Sequence, residues 1–379
     1  MKNVLVVGYY GAYNLGDEMM RQVILKGLSI YNDVHVVVML AETPECEAIC
    51  GSADVIHYCR TNSDYSHLAS MFDALIIGGG ALIDENQYGK TWMHFKSLTS
   101  IVVDLPGCFQ TCGKPVYCLG ISTNEVLQSD NFKRRMCAMV DATSYFSVRD
   151  KYSYETLREA GADVGKMTCV DDLVLCDDLW ERREALPTAK RSETLRVGVV
   201  WVSVIPEVRQ QLGEFLAELV NRTGGNVRIT LIPFFDYQKH DENLYREVLD
   251  ALPDECHGCV SRVEYVNTLT GVVKYFAEQD VVVNLRYHAA LVAGAVGINQ
   301  LVVKIDHPHY ENKMRWIIDE FGDHAELTRL PKSSGELADA CIRVSHLARG
   351  NGFSIERAKS NRRALEQTLE SLHKELWNA

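Results

Sequence analysis

The chain has 379 residues, more than one ordinary hydrophobic core organises, so two domains are expected. Its 51 acidic residues outnumber 39 basic ones and leave a formal charge of -12. That argues against a nucleic-acid partner, which needs a basic footprint, and against broad polybasic attachment to anionic lipid. Hydrophobic residues at 47% and charged residues at 24% are the balance of a soluble globular protein, with no run of about 18 apolar residues to suggest a membrane span.

The chain opens with a β-branched, apolar run over residues 4–8, predicted as a buried strand. It breaks at Tyr9-Tyr10-Gly11-Ala12-Tyr13-Asn14-Leu15-Gly16-Asp17-Glu18, and a helix is predicted over 19–28. Ligands bind at the carboxyl ends of strands in doubly wound α/β proteins, so this loop faces a ligand position. Its spacing is neither G-x-G-x-x-G nor a P-loop, and Asn14 and Asp17 suggest something other than phosphate cradling. Strand residues start at Asn3 with no charged-plus-apolar leader, so no signal peptide and a cytoplasmic location are expected.

Further strands are predicted at 34–40, 55–58, 74–77, 116–120, 145–148 and 167–170, with helical stretches such as 92–112 and 131–141 between them. The strand at 74–77 runs into Gly78, Gly79 and Gly80, whose bare backbone could approach a ligand or simply allow tight packing. Residues 179–194 are highly charged, carry Pro187 and read as a linker. A second series follows, with strands at 195–202, 227–233, 263–266, 281–285 and 301–305. Helices are predicted at 207–221, 242–251, 271–279, 289–296, 313–321 and 354–376. In the last of these, Leu365, Leu369, Leu372 and Leu376 form one apolar stripe. The predicted fold is α/β, with two Rossmann-like domains. The first covers residues 1–182, the second 195–350, and a final helix at 354–379 packs back on the first.

Cations fall where strands give way to helices. Arg149 follows the strand at 145–148, Arg286 and His288 flank the turn after 281–285, and Lys313 opens a later helix. Each alone is commonplace as an ion-pair partner, a core histidine or a solvated lysine. Together, in an acidic protein, they suggest a compact, multiply charged anion as ligand. The twelve cysteines are scattered. Cys256-His257-Gly258-Cys259 has no second ligand pair, so reduced thiols and no metal are expected.

The ordered set of G-Y-Y-G-x-x-N-x-G-D-E, the Gly78-Gly79-Gly80 turn, Ser147-Val148-Arg149-Asp150, Arg286-Tyr287-His288 and Tyr310-x-x-Lys313 resembles the polysaccharide pyruvyl transferase family over roughly residues 1–325. The resemblance implies a GT-B-like arrangement of two Rossmann-like domains with a ligand cleft between them. It implies phosphoenolpyruvate as donor substrate, no cofactor, and a sugar or lipid-linked oligosaccharide acceptor in bacterial surface polysaccharide (capsule or exopolysaccharide) synthesis. It leaves peripheral contact with the inner face of the membrane, through the acceptor, as an open possibility. By that resemblance Arg149, His288 and Lys313 contact phosphoenolpyruvate, and Asp17 lies beside the acceptor. The interval from His288 to Lys313 is about five residues longer than the family pattern, which leaves Lys304 as the alternative lysine.

The residues suit that chemistry. Protonating the methylene carbon needs an acid, for which His288 is available; it could equally be a phosphate ligand. The acceptor hydroxyls need a carboxylate to orient or deprotonate them, for which Asp17 and Asp236 are candidates. Two other readings stay open, a GT-B glycosyltransferase using a nucleotide-sugar and a non-catalytic carbohydrate-binding member of the fold.

Overall fold

The computed structural model of the chain describes residues 1–40, 53–61, 63–92, 95–123, 127–185, 192–202, 206–304, 308–330 and 333–378. The chain divides into two compact units. The first comprises Met1–Ala12, Asp17–Asp177 and Lys359–Ala379; the second comprises Asp178–Ala358 together with the short segment Tyr13–Gly16.

The first unit is built from β1 (Lys2–Val7), α1 (Leu15–Leu28, its first two residues grouping with the second unit), β2 (Val34–Leu40), β3 (Asp54–His57), α2 (Ser63–Met71), β4 (Ala74–Ile77) and β5 (Gly80–Ile83). A small hairpin, β6 (Thr91–Trp92) and β7 (Phe95–Lys96), follows. The chain continues through α3 (Leu98–Thr111), β8 (Val116–Thr123), α4 (Asp130–Asp141), β9 (Tyr145–Val148), α5 (Lys151–Glu159) and β10 (Met167–Cys169). The sheet order is β10-β9-β8-β4-β1-β2-β3, all parallel, with β5 beside β8. Strands covered by helices on both faces should be apolar without alternation. Accordingly β4 and β8 are buried at every position.

The second unit repeats the scheme with β11 (Leu195–Val200), α6 (Pro206–Arg222), β12 (Val227–Leu231), α7 (His240–Ala251), β13 (Val260–Arg262) and α8 (Leu269–Ala277). It goes on through β14 (Val281–Asn284), α9 (Tyr287–Val296), β15 (Asn299–Lys304), α10 (Pro308–Phe321), β16 (Ala325–Arg329) and α11 (Ser334–Ser345). Its order, β13-β12-β11-β14-β15-β16, is the dinucleotide-fold order 3-2-1-4-5-6, and the first unit follows the same order with β10 added at the edge and β5 beside β8. The crevice position in such a sheet lies where the order reverses, here at the carboxyl ends of β1 and β4 and of β11 and β14. The small residues of α9 permit close packing: a Cβ at Gly294 would lie 2.4 Å from the Phe321 ring.

The final helix, α12 (Ile355–Asn378), groups with the first unit from Lys359 onward. Leu365, Leu369, Leu372 and Leu376 are buried along one face. Leu369 fits over Gly27 of α1, where a Cβ would come within 2.5 Å of it. The Tyr117 hydroxyl donates to Glu375 at 2.8 Å, and His373 meets Asp33 at 2.9 Å.

Several elements depart from the sequence-based expectation. The stretch read as a linker begins with 3-10 turns at Asp178–Ala185, and Trp180 there is fully buried. Its charge density masked this single indole anchor; residues 186–191 lie outside the described residues. The helix expected from residue 92 starts only at Leu98, after the β6–β7 hairpin. The strand expected at 263–266 lies at Val260–Arg262 instead, and α2, α5, α11 and β16 had not been predicted. Replacing Leu369 with Ala should destabilise the first unit by about 2–5 kcal/mol, because the α1 backbone cannot follow the lost methyls into the gap. A lower urea midpoint checks this.

Candidate active site

In the second unit, β14 ends at Asn284 and the chain turns through Leu285 and Arg286 into α9. The sequence allows Arg286 to be either an anion ligand or an ion-pair partner within the second domain. It is held inside its own unit: Nη2 donates to Asp241 Oδ1 at 2.9 Å, and the guanidinium lies 5.4 Å from the centre of the Phe235 ring. Asp241 is fully buried, and its other oxygen accepts the Phe234 and Phe235 N–H groups at 2.9 and 2.8 Å. Arg286 therefore locks the end of β12 to the end of β14. Its buried Nε has no hydrogen-bond partner among the described residues.

His288 sits half-buried in the first turn of α9, a ten-residue helix. The first-turn N–H groups have no intrahelical acceptors, so that end carries a positive field suited to an anion. The imidazole rests on Gly16: a Cβ there would fall 1.8 Å from Nδ1. Gly16 is required by this close approach. The segment Tyr13–Gly16 is pinned by an antiparallel bridge between Asn14 and Phe235, with Leu15 N–H donating to Phe234 O at 2.9 Å and Asp236 N–H to Tyr13 O at 3.1 Å. Asn14, read from the sequence as part of the first domain, thus belongs structurally to the second unit.

Asp236 lies in the same strip. Its Oδ1 is buried without a hydrogen-bond partner among the described residues, and its side chain does not cap the 3-10 turn Tyr237–Lys239 that it precedes. Burial, and then the charges of Glu242 and Asp241, push its carboxyl up to about 6; Lys239 and Arg262 oppose the rise. Lys304 ends β15 and is half-buried. Lys313 falls in α10, and its side chain lies outside the described residues.

In the first unit, Arg149 follows β9 but is 3% exposed, and its Nη1 donates at 2.8 Å to Asp172, which is fully buried. The sequence reads Arg149 as an ion-pair partner or an anion ligand; the pair it makes is buried rather than at the surface, with Met20 Sδ 4.0 Å from the same nitrogen. The residues around Arg149 serve the fold. Ser147 Oγ accepts the Gly120 N–H, and Asp150 caps α5 through the Ser153 N–H while accepting the Ser122 hydroxyl.

Asp17, buried in the first turn of α1, faces Gly80, where a Cβ would lie 2.9 Å from its Oδ1. Gly80 has φ +124, which side-chain-bearing residues avoid. A Cβ at Gly78 would meet the Tyr10 hydroxyl at 1.8 Å, and one at Gly79 would meet Met20 Sδ at 2.7 Å. Packing alone therefore accounts for all three glycines. The Tyr10 phenol is fully buried, with no hydrogen-bond partner for its hydroxyl among the described residues. Burial first, and then Asp17, holds its proton far above the ordinary range. Beside it, Glu18 and Arg21 form a buried pair at 2.9 Å, and Glu18 accepts the Gly11 N–H at 2.8 Å. Sequence reasoning passed over Glu18, Asp172 and Asp241. The acids at the start of α1 signalled the first, but Asp172 and Asp241 carried no local signal, because their partners are 23 and 45 residues away.

Two outcomes follow from this geometry. Gly16→Ala should displace the His288 ring and abolish any activity that needs it, with the rest of the second unit folded; a crystal structure and an unfolding curve check both parts. The Asp236 carboxyl is raised from its unfolded value near 4 to about 6 in the fold. Its ionisation therefore opposes folding increasingly from pH 4 to 6, and fully above 6. Asp236→Asn should consequently raise the melting temperature at pH 7.5 relative to its effect at pH 4.

Comparison with known proteins adds the family. The model of the family described as polysaccharide pyruvyl transferase matches residues 14–307. Comparison with the curated proteins returns no match. Among solved structures, UDP-GlcNAc 2-epimerase from Neisseria meningitidis bound to UDP-GlcNAc is similar with TM-score 0.61 and 11% identity, over 98% of this chain and 100% of that one. HepE from Anabaena in complex with UDP-glucose is similar with TM-score 0.57 and 13% identity, over 98% and 100%. UDP-GlcNAc 2-epimerase from Methanocaldococcus jannaschii gives TM-score 0.57 and 10% identity, over 98% and 100%. At such identities the likeness establishes the fold, GT-B-like with two Rossmann-like units, and nothing finer. The match over residues 14–307 takes in both β14–α9 with His288 and β9 with Arg149, and it places the chain in the polysaccharide pyruvyl transferase family.

Proposed function

We propose that this protein moves the pyruvyl group of phosphoenolpyruvate onto two hydroxyls of a sugar, forming a pyruvate ketal and releasing phosphate. The observation that supports this best is His288, seated on Gly16 at the amino end of α9, within a chain of this family. The donor carries a carboxylate and a phosphate on one small skeleton. A helix amino end and an imidazole suit such a dianion.

The reaction adds a proton to the methylene carbon and makes the central carbon electrophilic. One sugar hydroxyl attacks that carbon and gives up its proton. The carbon–oxygen bond to phosphate breaks, and a second hydroxyl closes the ketal as its proton leaves with phosphate. No water enters or departs overall. His288 supplies the proton or holds the departing phosphate, and Lys304 or Lys313 adds charge to the donor site. Asp17 handles acceptor protons. Arg149, with its guanidinium fixed by Asp172, contributes to phosphate departure. The acceptor is a sugar or lipid-linked oligosaccharide of a bacterial surface polysaccharide, and the protein works in the cytoplasm, meeting the membrane only through that acceptor. Among the described residues no helix is long and apolar enough to cross a membrane.

A second reading, transfer from a nucleotide-sugar, draws support from the fold shared with HepE in complex with UDP-glucose and with the Neisseria epimerase bound to UDP-GlcNAc. The protein incubated with phosphoenolpyruvate and a panel of glycosides should release phosphate in an acceptor-dependent way, and should not consume UDP-glucose. His288→Ala and Arg149→Ala should each cut the rate by roughly a hundredfold or more. Asp17→Asn should keep phosphoenolpyruvate binding and lose transfer. Wild-type turnover by His288→Ala, or turnover of UDP-glucose alone, would contradict the proposal.

A further inference from the structure

The loop after β12 carries a carboxyl group, that of Asp236, that caps no turn. The Asp236 backbone is pinned on both sides, its N–H on Tyr13 O at 3.1 Å and its carbonyl accepting from Lys239 N–H at 2.8 Å. The carboxyl group nevertheless caps nothing, and its buried Oδ1 has no partner among the described residues. The turn that follows holds Gln238 and Lys239 at φ 49 and 57, left-handed values that are strained for residues other than glycine. Strain of this kind is a reason to look for a function at the site.

Aromatic rings are carried by the residues on either side of Asp236 and by Tyr13, whose carbonyl accepts its N–H. Phe235 stacks on His240 at 5.7 Å and 9°, and Tyr237 lies 6.3 Å from His240 at 29°. The Tyr13 ring lies 6.0 Å from that of Tyr265. Arg286 lies over the Phe235 ring, while Tyr237 is half-exposed and His240 exposed.

We propose that Asp236, Tyr237, His240 and Tyr13 form a subsite of the second unit that binds a pyranose ring of the acceptor. The carboxylate accepts hydrogen bonds from ring hydroxyls, and the aromatic faces pack against the C–H face of the sugar. A pyranose presents those two surfaces together, which an anion or an ion does not. A phosphate would be repelled by the carboxylate. A divalent cation would find one available carboxylate: Asp241 is committed to Phe234, Phe235 and Arg286, and Glu242 faces Lys239 at 3.7 Å and Arg262 at 3.4 Å. The charged groups facing Asp236 are Glu242 and Asp241 of α7, Lys239 of the turn and Arg262 of β13; with burial dominant, its carboxyl titrates near pH 6. Sugar binding should therefore weaken as pH falls through 6. The pyruvyl-transfer reading supplies only the identity of the sugar as acceptor.

The test uses the full chain and methyl glucoside, galactoside, mannoside and their N-acetylamino counterparts, with affinities from saturation-transfer NMR in the absence of phosphoenolpyruvate. Wild-type protein should bind at least one of them. Asp236→Asn, nearly isosteric, and His240→Ala, at an exposed position, should each weaken that binding about tenfold or more. Phosphoenolpyruvate binding by calorimetry should be unchanged in both. The wild-type affinity should drop below pH 6, and that of Asp236→Asn should not. The subsite is overturned if no glycoside binds, if both variants keep wild-type affinity, if the wild-type profile is flat, or if Asp236→Asn loses phosphoenolpyruvate binding. If glycosides bind as expected while phosphoenolpyruvate is never turned over, the subsite stands and the pyruvyl-transfer reading falls.

Discussion

One buried carboxylate organises the second unit. Asp241 accepts two backbone N–H groups from the end of β12 and the Arg286 guanidinium from the end of β14. Without it, a mostly buried arginine and two amides would lose their partner, a loss of about 3–5 kcal/mol for the charge alone. The loop it fixes pairs with Tyr13–Gly16, and Gly16 is the seat of His288. The position of the catalytic candidate thus depends on a carboxylate 47 residues earlier in the chain, through Phe234, Phe235 and Leu15.

The first unit uses buried charge in the same way. Arg149 with Asp172 and Glu18 with Arg21 are both nearly inaccessible pairs at strand or helix ends. Such pairs add little net stability compared with apolar packing, but they fix geometry, since either partner alone would be costly. Tyr10 adds a buried hydroxyl with no partner among the described residues, and Gly8 and Gly78 make room for its ring. Polar groups are thus concentrated at the carboxyl ends of β1, β4 and β9, the ends at which this fold class carries its ligands.

The architecture was legible because buried parallel strands announce themselves as uniform apolar runs. β1, β4, β14 and the leucine stripe of α12 needed no tertiary information. Amphipathic surface helices such as α2, α5 and α11 sat in mixed sequence and were lost, and the charge around Trp180 disguised an anchored stretch as a linker. At the site, sequence placed Arg149, Arg286 and His288 correctly at strand-to-helix turns. It could not tell a ligand cation from an ion-pair partner, because Asp172 and Asp241 are remote in sequence. It also assigned the opening loop wholly to the first domain, whereas Tyr13–Gly16 pairs with the end of β12.

The proposed chemistry rests on the donor. Phosphoenolpyruvate transfer changes the central carbon from a vinyl carbon to a quaternary carbon bearing a methyl group and two sugar oxygens. The direct measurement is NMR of the product formed from phosphoenolpyruvate labelled with carbon-13 at that carbon, together with an accepting glycoside. The account predicts that the label appears as a ketal carbon on the sugar, with phosphate released in equal amount and formation by His288→Ala slower by roughly a hundredfold or more. Label that stays in phosphoenolpyruvate, or appears only as free pyruvate whatever the acceptor, would contradict it.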